Sequence, residues 1–388
     1  MRAVLVGACR TPIGSFGGAL APLSAPQLGA IVVWEAVRRA GLAPEEVEEA
    51  LFGCVVTAGL GQAPARQAAL FGGLPPSTGA TTINKVCGSG LKAVMLADQA
   101  IRAGDLTIAV AGGMESMSNA PYLLPQGRRG YRLGHGELVD SLIRDGLWDA
   151  YHDYHMGATG ELCARLCDVS RADQDEYAAQ SYARALAAQA AGAFSTEVVP
   201  VEIPGRKGAT HVLVDEEPRP TPLDALARLR PAFDPQGTIT AGNASKLSDG
   251  AAAVCVVDEE EAERRGLTPQ ARIVAAATHS REPEHVMLAP EGAVRECLAR
   301  AGWQDADLYE INEPFAAASV ALIRRLALDP ERVNIHGGAV ALGHPIGATG
   351  CRILVTLLAA LERHGLRRGV AALCLGGGEA VALAVERD

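Results

Sequence analysis

Cys87-Gly-Ser-Gly-Leu-Lys-Ala-Val94 leads into Ile108-Ala-Val-Ala-Gly-Gly113, and Gly347-Ala-Thr-Gly-Cys-Arg-Ile-Leu354 leads into Ala372-Leu-Cys-Leu-Gly-Gly377. Both passages read as a glycine turn, a helix, an apolar strand and a glycine pair. Such an echo within one chain marks a duplicated unit. Residues 2–9 and 271–278 read as strands that start the two copies. Between these landmarks, Pro26 to Ala40 is a helix, with Pro near its start and Gly41 past its end. Leu51–Val56, Ala80–Val86 and Leu106–Ala111 read as extended segments, the last stopped by Gly112-Gly113. Further strands are expected at 251–257, 307–311 and 370–375, and helices near 63–71, 290–301, 315–326 and 349–363. Strands alternating with helices predict α/β layering around a buried sheet.

The first copy is interrupted. Residues 118–155 are rich in Gly, Pro, Arg, Tyr and His and show only weak periodicity. Two helices are predicted at about 156–168 and 171–192, then Pro-rich loops to about 235. The expected organisation is a first half, 1–117, completed by about 248–269; an inserted block, 118–247, that carries a ligand surface; and a second half, 270–388.

Composition narrows the function. The chain has 388 residues, 48% of them apolar, 21% charged and 4% aromatic, which predicts a globular protein with a core of Ala, Val and Leu. Its formal charge of −10 argues against nucleic acid as a partner. No apolar run approaches the ~18 residues of a membrane span. The five-residue apolar run after Met1-Arg is too short for a signal peptide, and the nine scattered Cys are an odd number, so a reduced, cytoplasmic protein is expected.

Four residues are candidates for chemistry. Cys87 stands where a strand turns into a glycine-started helix; backbone N–H groups and the positive helix end are expected to lower its pKa there, and the neighbouring glycines to let a substrate approach. A Cys is more often a small buried hydrophobe, which is the reading given to most of the nine. His344 lies in Asn334-Ile-His-Gly-Gly-Ala-Val-Ala-Leu-Gly-His-Pro-Ile-Gly-Ala-Thr-Gly350, held by a stiff loop as a base. Cys374 ends an apolar strand before Gly376-Gly-Gly378. Asn312, in Asn312-Glu-Pro-Phe-Ala316, can hold a water or a carbonyl oxygen. Binding at strand carboxyl ends is the rule for open α/β sheets. Two thiols, an imidazole and an amide near one point suit acyl transfer through a thioester. Cys163 and Cys167, one helical turn apart, have no second Cys/His pair at ligand spacing, so no metal centre is expected.

With these residues in place, the chain resembles the thiolase family, and within it the short-chain acetyl-CoA acetyltransferases. The matching stretches are Asn84-Lys-Val-Cys-Gly-Ser-Gly90, His155-Met-Gly157, Ala241-Gly-Asn-Ala-Ser245, Asn312-Glu-Pro-Phe-Ala316, Gly337-Gly-Ala-Val-Ala-Leu-Gly-His-Pro-Ile-Gly347 and Cys374-Leu-Gly-Gly-Gly378, in family order across nearly the whole chain. The resemblance implies a thiolase-like fold: two similar βαβαβαββ halves in an αβαβα layering, with an inserted loop domain. It implies Cys87 as acyl carrier, His344 as the group that draws off its proton, Cys374 as acid and base at carbon, and Asn312 as holder of a water. The backbone N–H groups of Cys87 and Gly376 would form an oxyanion hole. Leu147, His155, Met156, Arg219, Phe233, Ala244, Ser245 and Phe315 would contact CoA or the acyl group. Arg206, Lys207, Arg228 and Arg230 lie near Arg219 in sequence but are interleaved with Asp and Glu. CoA and acyl-CoA are then substrates, no cofactor is needed, and the protein is a homodimer or homotetramer, with Arg128, Arg129 and Tyr131 in the tetramer loop. Three features depart from the family's pattern: Lys246, Pro314 and Glu379-Ala380.

Other readings predict other features. A degradative 3-ketoacyl-CoA thiolase would accept long chains. A condensing enzyme served by acyl carrier protein typically has one active Cys. An inactive thiolase-like scaffold would have lost some of the four polar groups. A Cys–His peptidase would leave Cys374 and the glycine blocks unexplained.

Overall fold

The computed structural model describes residues 2–205 and 208–388. Nine strands carry the architecture: β1 (Ala3–Arg10), β2 (Glu49–Gly53), β3 (Gly79–Ile83), β4 (Ile108–Ser116), β5 (Ser248–Asp258), β6 (Ala271–Ser280), β7 (Leu308–Ile311), β8 (Arg368–Leu375) and β9 (Glu379–Glu386). They are hydrogen-bonded in the order β7-β8-β9-β6-β1-β5-β4-β2-β3. The halves have matching topology. β2 runs parallel to β4, which pairs antiparallel with β5, which pairs antiparallel with β1. In the second half β7 runs parallel to β8, then β9 and β6 follow antiparallel. Even the outer strand is echoed: a parallel bridge from Tyr309 to Val333 stands where β3 lies beside β2. The halves join through β1 and β6, paired only at Val4–Arg272 and Leu5–Ala271.

Side-chain alternation builds five layers. On β5, Ala252, Val254 and Val256 face one core, while Ala251, Ala253, Cys255 and Val257 face another. The outer core packs against α1 (Ala25–Ala40) and α2 (Pro64–Phe71). The central core packs around α3 (Ser89–Ala103). In the inserted block, α4 (Met156–Leu166) and α5 (Arg171–Ala190) follow. On the far side of the second half lie α6 (Ala289–Ala301) and α7 (Ala316–Leu326), against the even-numbered residues of β8 and β9. The odd-numbered residues face the central core and α8 (Ile346–His364). The middle layer is therefore α3 and α8, sandwiched between the two half-sheets.

One boundary is corrected. β4 is not stopped by Gly112-Gly113; it runs on to Ser116. The glycines are there for space: a Cβ on Gly112 would overlap the Ala252 carbonyl oxygen, and one on Gly113 the Gly347 carbonyl oxygen. The motif glycines serve the same end. A Cβ on Gly90 would lie 2.9 Å from Cys351 N, and one on Gly88 would overlap Leu375. In both copies the glycine turn lets protein backbone, rather than ligand, approach closely. Gly113→Ala is expected to destabilise the fold by about 1–3 kcal/mol through overpacking; urea unfolding with an unchanged midpoint would refute this.

Candidate active site

The turn before α3 is held in a conformation its residues resist. Val86, a β-branched residue, has φ of 45°, a region such residues rarely enter. Asn84 Oδ1 accepts the Val86 N–H at 3.0 Å, and Ser89 Oγ accepts the Lys85 N–H at 2.8 Å while donating to Val86 O at 2.6 Å. These bonds over-determine the turn and present the next residue, Cys87. The backbone N–H groups of Gly376 and of Cys87 itself both act to lower the pKa of the Cys87 thiol.

His344 is 6% exposed, and its backbone N–H donates to Lys246 O at 3.0 Å. Nδ1 lies 2.6 Å from Thr349 Oγ1, whose hydroxyl donates to Pro345 O at 2.9 Å. That hydroxyl has one proton, already committed. Nδ1 therefore carries the ring proton, and Nε2 keeps its lone pair. Burial, aided by the Arg352 charge, lowers the His344 pKa to about 3, so the ring is neutral at working pH.

Burial also corrects the expectation for Cys87. Its thiol is pushed up to about 12, because loss of solvent outweighs the two N–H groups. Cys374, at the end of β8, is likewise raised by burial, with the neighbouring Cys87 and Cys163 adding to the effect. The resting site holds two thiols and a neutral imidazole.

Cys87, His344, Cys374 and Gly376 line one inner chamber of about 60 Å³. Leu147, Met156, Ser245 and Phe315 line both it and an outer chamber of about 410 Å³, whose wall adds His155, Phe233 and Ala244. The His155 ring stacks on Phe233 at 4.8 Å, and a Cβ on Gly157 would overlap the Phe233 ring. That overlap accounts for the small residue in His155-Met-Gly157.

Asn312 and Arg219 are not in these walls. Asn312 is buried at the end of β7, and neither atom of its amide has a partner among the described residues. Its full hydrogen-bonding capacity is free for a small polar molecule. Arg219 is exposed, 3.9 Å from Glu217. Arg228 pairs with Asp224 at 2.6 Å, and Arg206 and Lys207 lie outside the described residues. Cys163 packs in a core cluster with Cys374. Among the described residues, no group of three or more His, Cys, Asp and Glu could hold a metal ion.

Sequence reading missed three groups. Glu115 is fully buried and accepts the N–H of Val55 at 3.0 Å, of Val56 at 3.2 Å and of Gly347 at 2.9 Å. Glu313 accepts from Tyr177, Ser181, Asn334 and Val340 N–H, fixing the turn after Asn312. Thr349 sets the His344 tautomer. A carboxylate two residues past a buried glycine pair was the available signal for Glu115.

Two family models match the chain, "Thiolase, N-terminal domain" over residues 3–260 and "Thiolase, C-terminal domain" over residues 267–387. An acetyl-CoA acetyltransferase of Cupriavidus necator is 53% identical over 99% of both chains. A cytosolic acetyl-CoA acetyltransferase of mouse is 53% identical over 99% of this chain and 98% of its own. A probable acetyl-CoA acetyltransferase of Escherichia coli is 51% identical over 99% of both.

Burial raises the Glu115 pKa to about 7 against its three N–H donors. A raised carboxyl pKa favours the folded state at low pH. That contribution is complete below the unfolded value of 4.5 and is lost as pH rises through about 7. Relative to Glu115→Gln, the parent should lose about 3 kcal/mol of stability between about pH 4 and about pH 8. Parallel pH dependence of urea unfolding in the two proteins would refute it.

Proposed function

The chain belongs to the thiolase family, and from that premise we infer its reaction: it is an acetyl-CoA C-acetyltransferase, joining two acetyl-CoA into acetoacetyl-CoA and CoA, and reversing this by thiolysis, through an acyl-cysteine. The observation that carries the assignment of roles is the shared chamber of Cys87, His344 and Cys374. Cys87 Sγ attacks the acetyl-CoA carbonyl and its proton passes to His344 Nε2. The tetrahedral oxyanion is held by the N–H groups of Cys87 and Gly376; one such donor is worth roughly 10²–10³ in rate. CoA leaves with the proton from His344.

A second acetyl-CoA then enters. Cys374 gives its thiol proton to His344 Nε2 in their shared chamber, and the resulting thiolate removes a proton from the methyl carbon while the Nε2–H of His344 and a water held by Asn312 stabilise the enolate oxygen. The carbanion attacks the acyl-Cys87 carbonyl, and Cys87 departs as the thiolate and recovers its proton from His344, which restores the two thiols and the neutral imidazole. Burial that raises the Cys374 pKa brings its proton affinity nearer that of a carbon acid, where a positioned acid–base group is worth about 10²–10⁴. Because each thiol is protonated at rest, proton transfer to His344 accompanies attack instead of preceding it. CoA and acyl-CoA are substrates, and these steps use no resident metal or prosthetic group.

The acyl group occupies the inner chamber and pantetheine passes between Leu147, Met156, Ser245 and Phe315 to the outer one, beside His155, Phe233 and Ala244. Arg219 lies toward the adenine end. The inner chamber is narrow and walled by Leu147, Met156, Met287 and Phe315, which suits a short acyl group. We place the protein in the cytoplasm, in fatty-acid metabolism. Mouse and rat relatives named as cytosolic support the location, and among the described residues no helix is long and apolar enough to cross a membrane.

We assign a homotetramer built from dimers. Segment 118–140 supports this: Tyr122, Leu124, Tyr131, Leu133 and Leu138 are exposed beside Arg128 and Arg129, a concentration of apolar surface that a lone protomer rarely leaves bare.

Cys87→Ala should abolish acetyl-enzyme formation. Cys374→Ala should still trap labelled acetyl on Cys87 but stall condensation, and the parent should favour acetoacetyl-CoA over a C8–C16 3-ketoacyl-CoA. Acetylation persisting in Cys87→Ala, or a preference for long chains, would sink the respective assignment. Leu133→Asp should halve the mass seen by light scattering, and an unchanged mass would reject the loop as the tetramer contact.

A further inference from the structure

The two backbone donors around Cys87 Sγ come from different halves of the chain. One belongs to the turn before α3, the other to the glycine turn between β8 and β9. The width of the oxyanion hole therefore depends on how one turn is held against the other. One charged contact spans them. Lys85 Nζ donates to Glu379 Oε2 at 2.5 Å. Lys85 stands two residues before Cys87, and Glu379 three after Gly376.

Both ends of this strut are anchored. The Lys85 N–H is held by Ser89 Oγ at 2.8 Å, at the first residue of α3. Glu379 begins β9, and its Oε1 accepts Ser280 Oγ from the end of β6 at 3.1 Å. Gly378 O accepts the Arg281 N–H at 2.8 Å. Between the strut and the sulfur sits Val86 with its φ of 45°, a turn that gains from external restraint. The two side chains are 21% and 33% exposed. An ion pair so placed contributes little to stability, so its effect is expected in geometry.

We propose that Lys85 and Glu379 are positioning residues that set the separation of the Cys87 and Gly376 N–H donors, and through it the rate of acyl transfer. This rests on the reading of Cys87 as the acyl carrier. Neither residue lines the inner or the outer chamber.

The test uses the full chain with Lys85→Met, Glu379→Gln, the double variant and the charge swap Lys85→Glu/Glu379→Lys. Two quantities are read: the rate constant for acetylation of Cys87 by acetyl-CoA, followed by intact mass, and kcat and KM for thiolysis of acetoacetyl-CoA. Each single variant should lose about tenfold or more in acetylation rate and kcat, with KM within about twofold. The double variant should lose no more than the worse single, and the swap should recover most of the loss. In the parent, kcat at saturation should fall as salt screens the partly exposed pair, and in Lys85→Met it should not; this holds the proposal to account should a variant fold poorly. Single variants within about twofold of the parent, losses that multiply in the double, or losses confined to KM would overturn it. A parent that never acetylates at Cys87 would instead overturn the functional reading, and mass analysis separates the two outcomes.

Discussion

A single buried carboxylate joins the halves where the chemistry is. Glu115, near the end of β4, gathers the N–H groups of Val55 and Val56 from the first half and of Gly347 from the second. Gly347 lies in the first turn of α8, where an acceptor meets both the unpaired N–H groups and the positive end of the helix dipole. The same turn carries Thr349, which orients His344. Without an acceptor at position 115, three backbone donors would be buried unpaired, each costing about 1–3 kcal/mol. The imidazole would lose its fixed relation to Cys87, because α3, which presents the thiol, packs on α8 through Gly90 and Gly350.

Solvent exclusion then sets the electrostatics. A helix start lowers a thiol pKa when the sulfur stays hydrated; Cys87 is half-buried, and the water its sulfur loses outweighs the two N–H groups. The same exclusion, with Arg352 nearby, keeps His344 neutral. A site of neutral partners suits a reaction in which negative charge appears only in transit, since fixed N–H dipoles then meet the oxyanion with little competition from water.

Much of this was legible in the sequence. The duplicated helix–strand–glycine pattern forecast matching half-sheets, and the positions of Cys87, His344 and Cys374 at strand ends or glycine turns forecast a common cavity. The glycines were seen but their purpose was misread: Gly90, Gly113 and Gly347 accommodate helix and strand backbones in the middle layer. Only the three-dimensional register reveals that, because the partners lie far apart in the chain. Glu115 had one local mark, its place two residues past the glycine pair, but its donors lie about 60 and 232 residues away and only the fold brings them to it. The pairing of Lys85 with Glu379 likewise depends on where β9 turns back beside the nucleophile. The Cys87 pKa was misjudged because a motif specifies direction toward a helix but not depth.

α8 has no solvent-facing side along most of its length: every residue from Ile346 to Leu361 is buried. Its partners are α3 and the strands of both half-sheets. Such a helix has nowhere to dock until both sheets exist, and neither sheet can cover its inner face without it. The two copies are therefore not autonomous modules despite their shared pattern. During synthesis, with the carboxyl-terminal segment still in the ribosome, the first half must wait with an apolar sheet face uncovered, a state prone to aggregation. Closure of the middle layer is thus a late, all-or-nothing event that assembles the catalytic chamber at the same moment as the core.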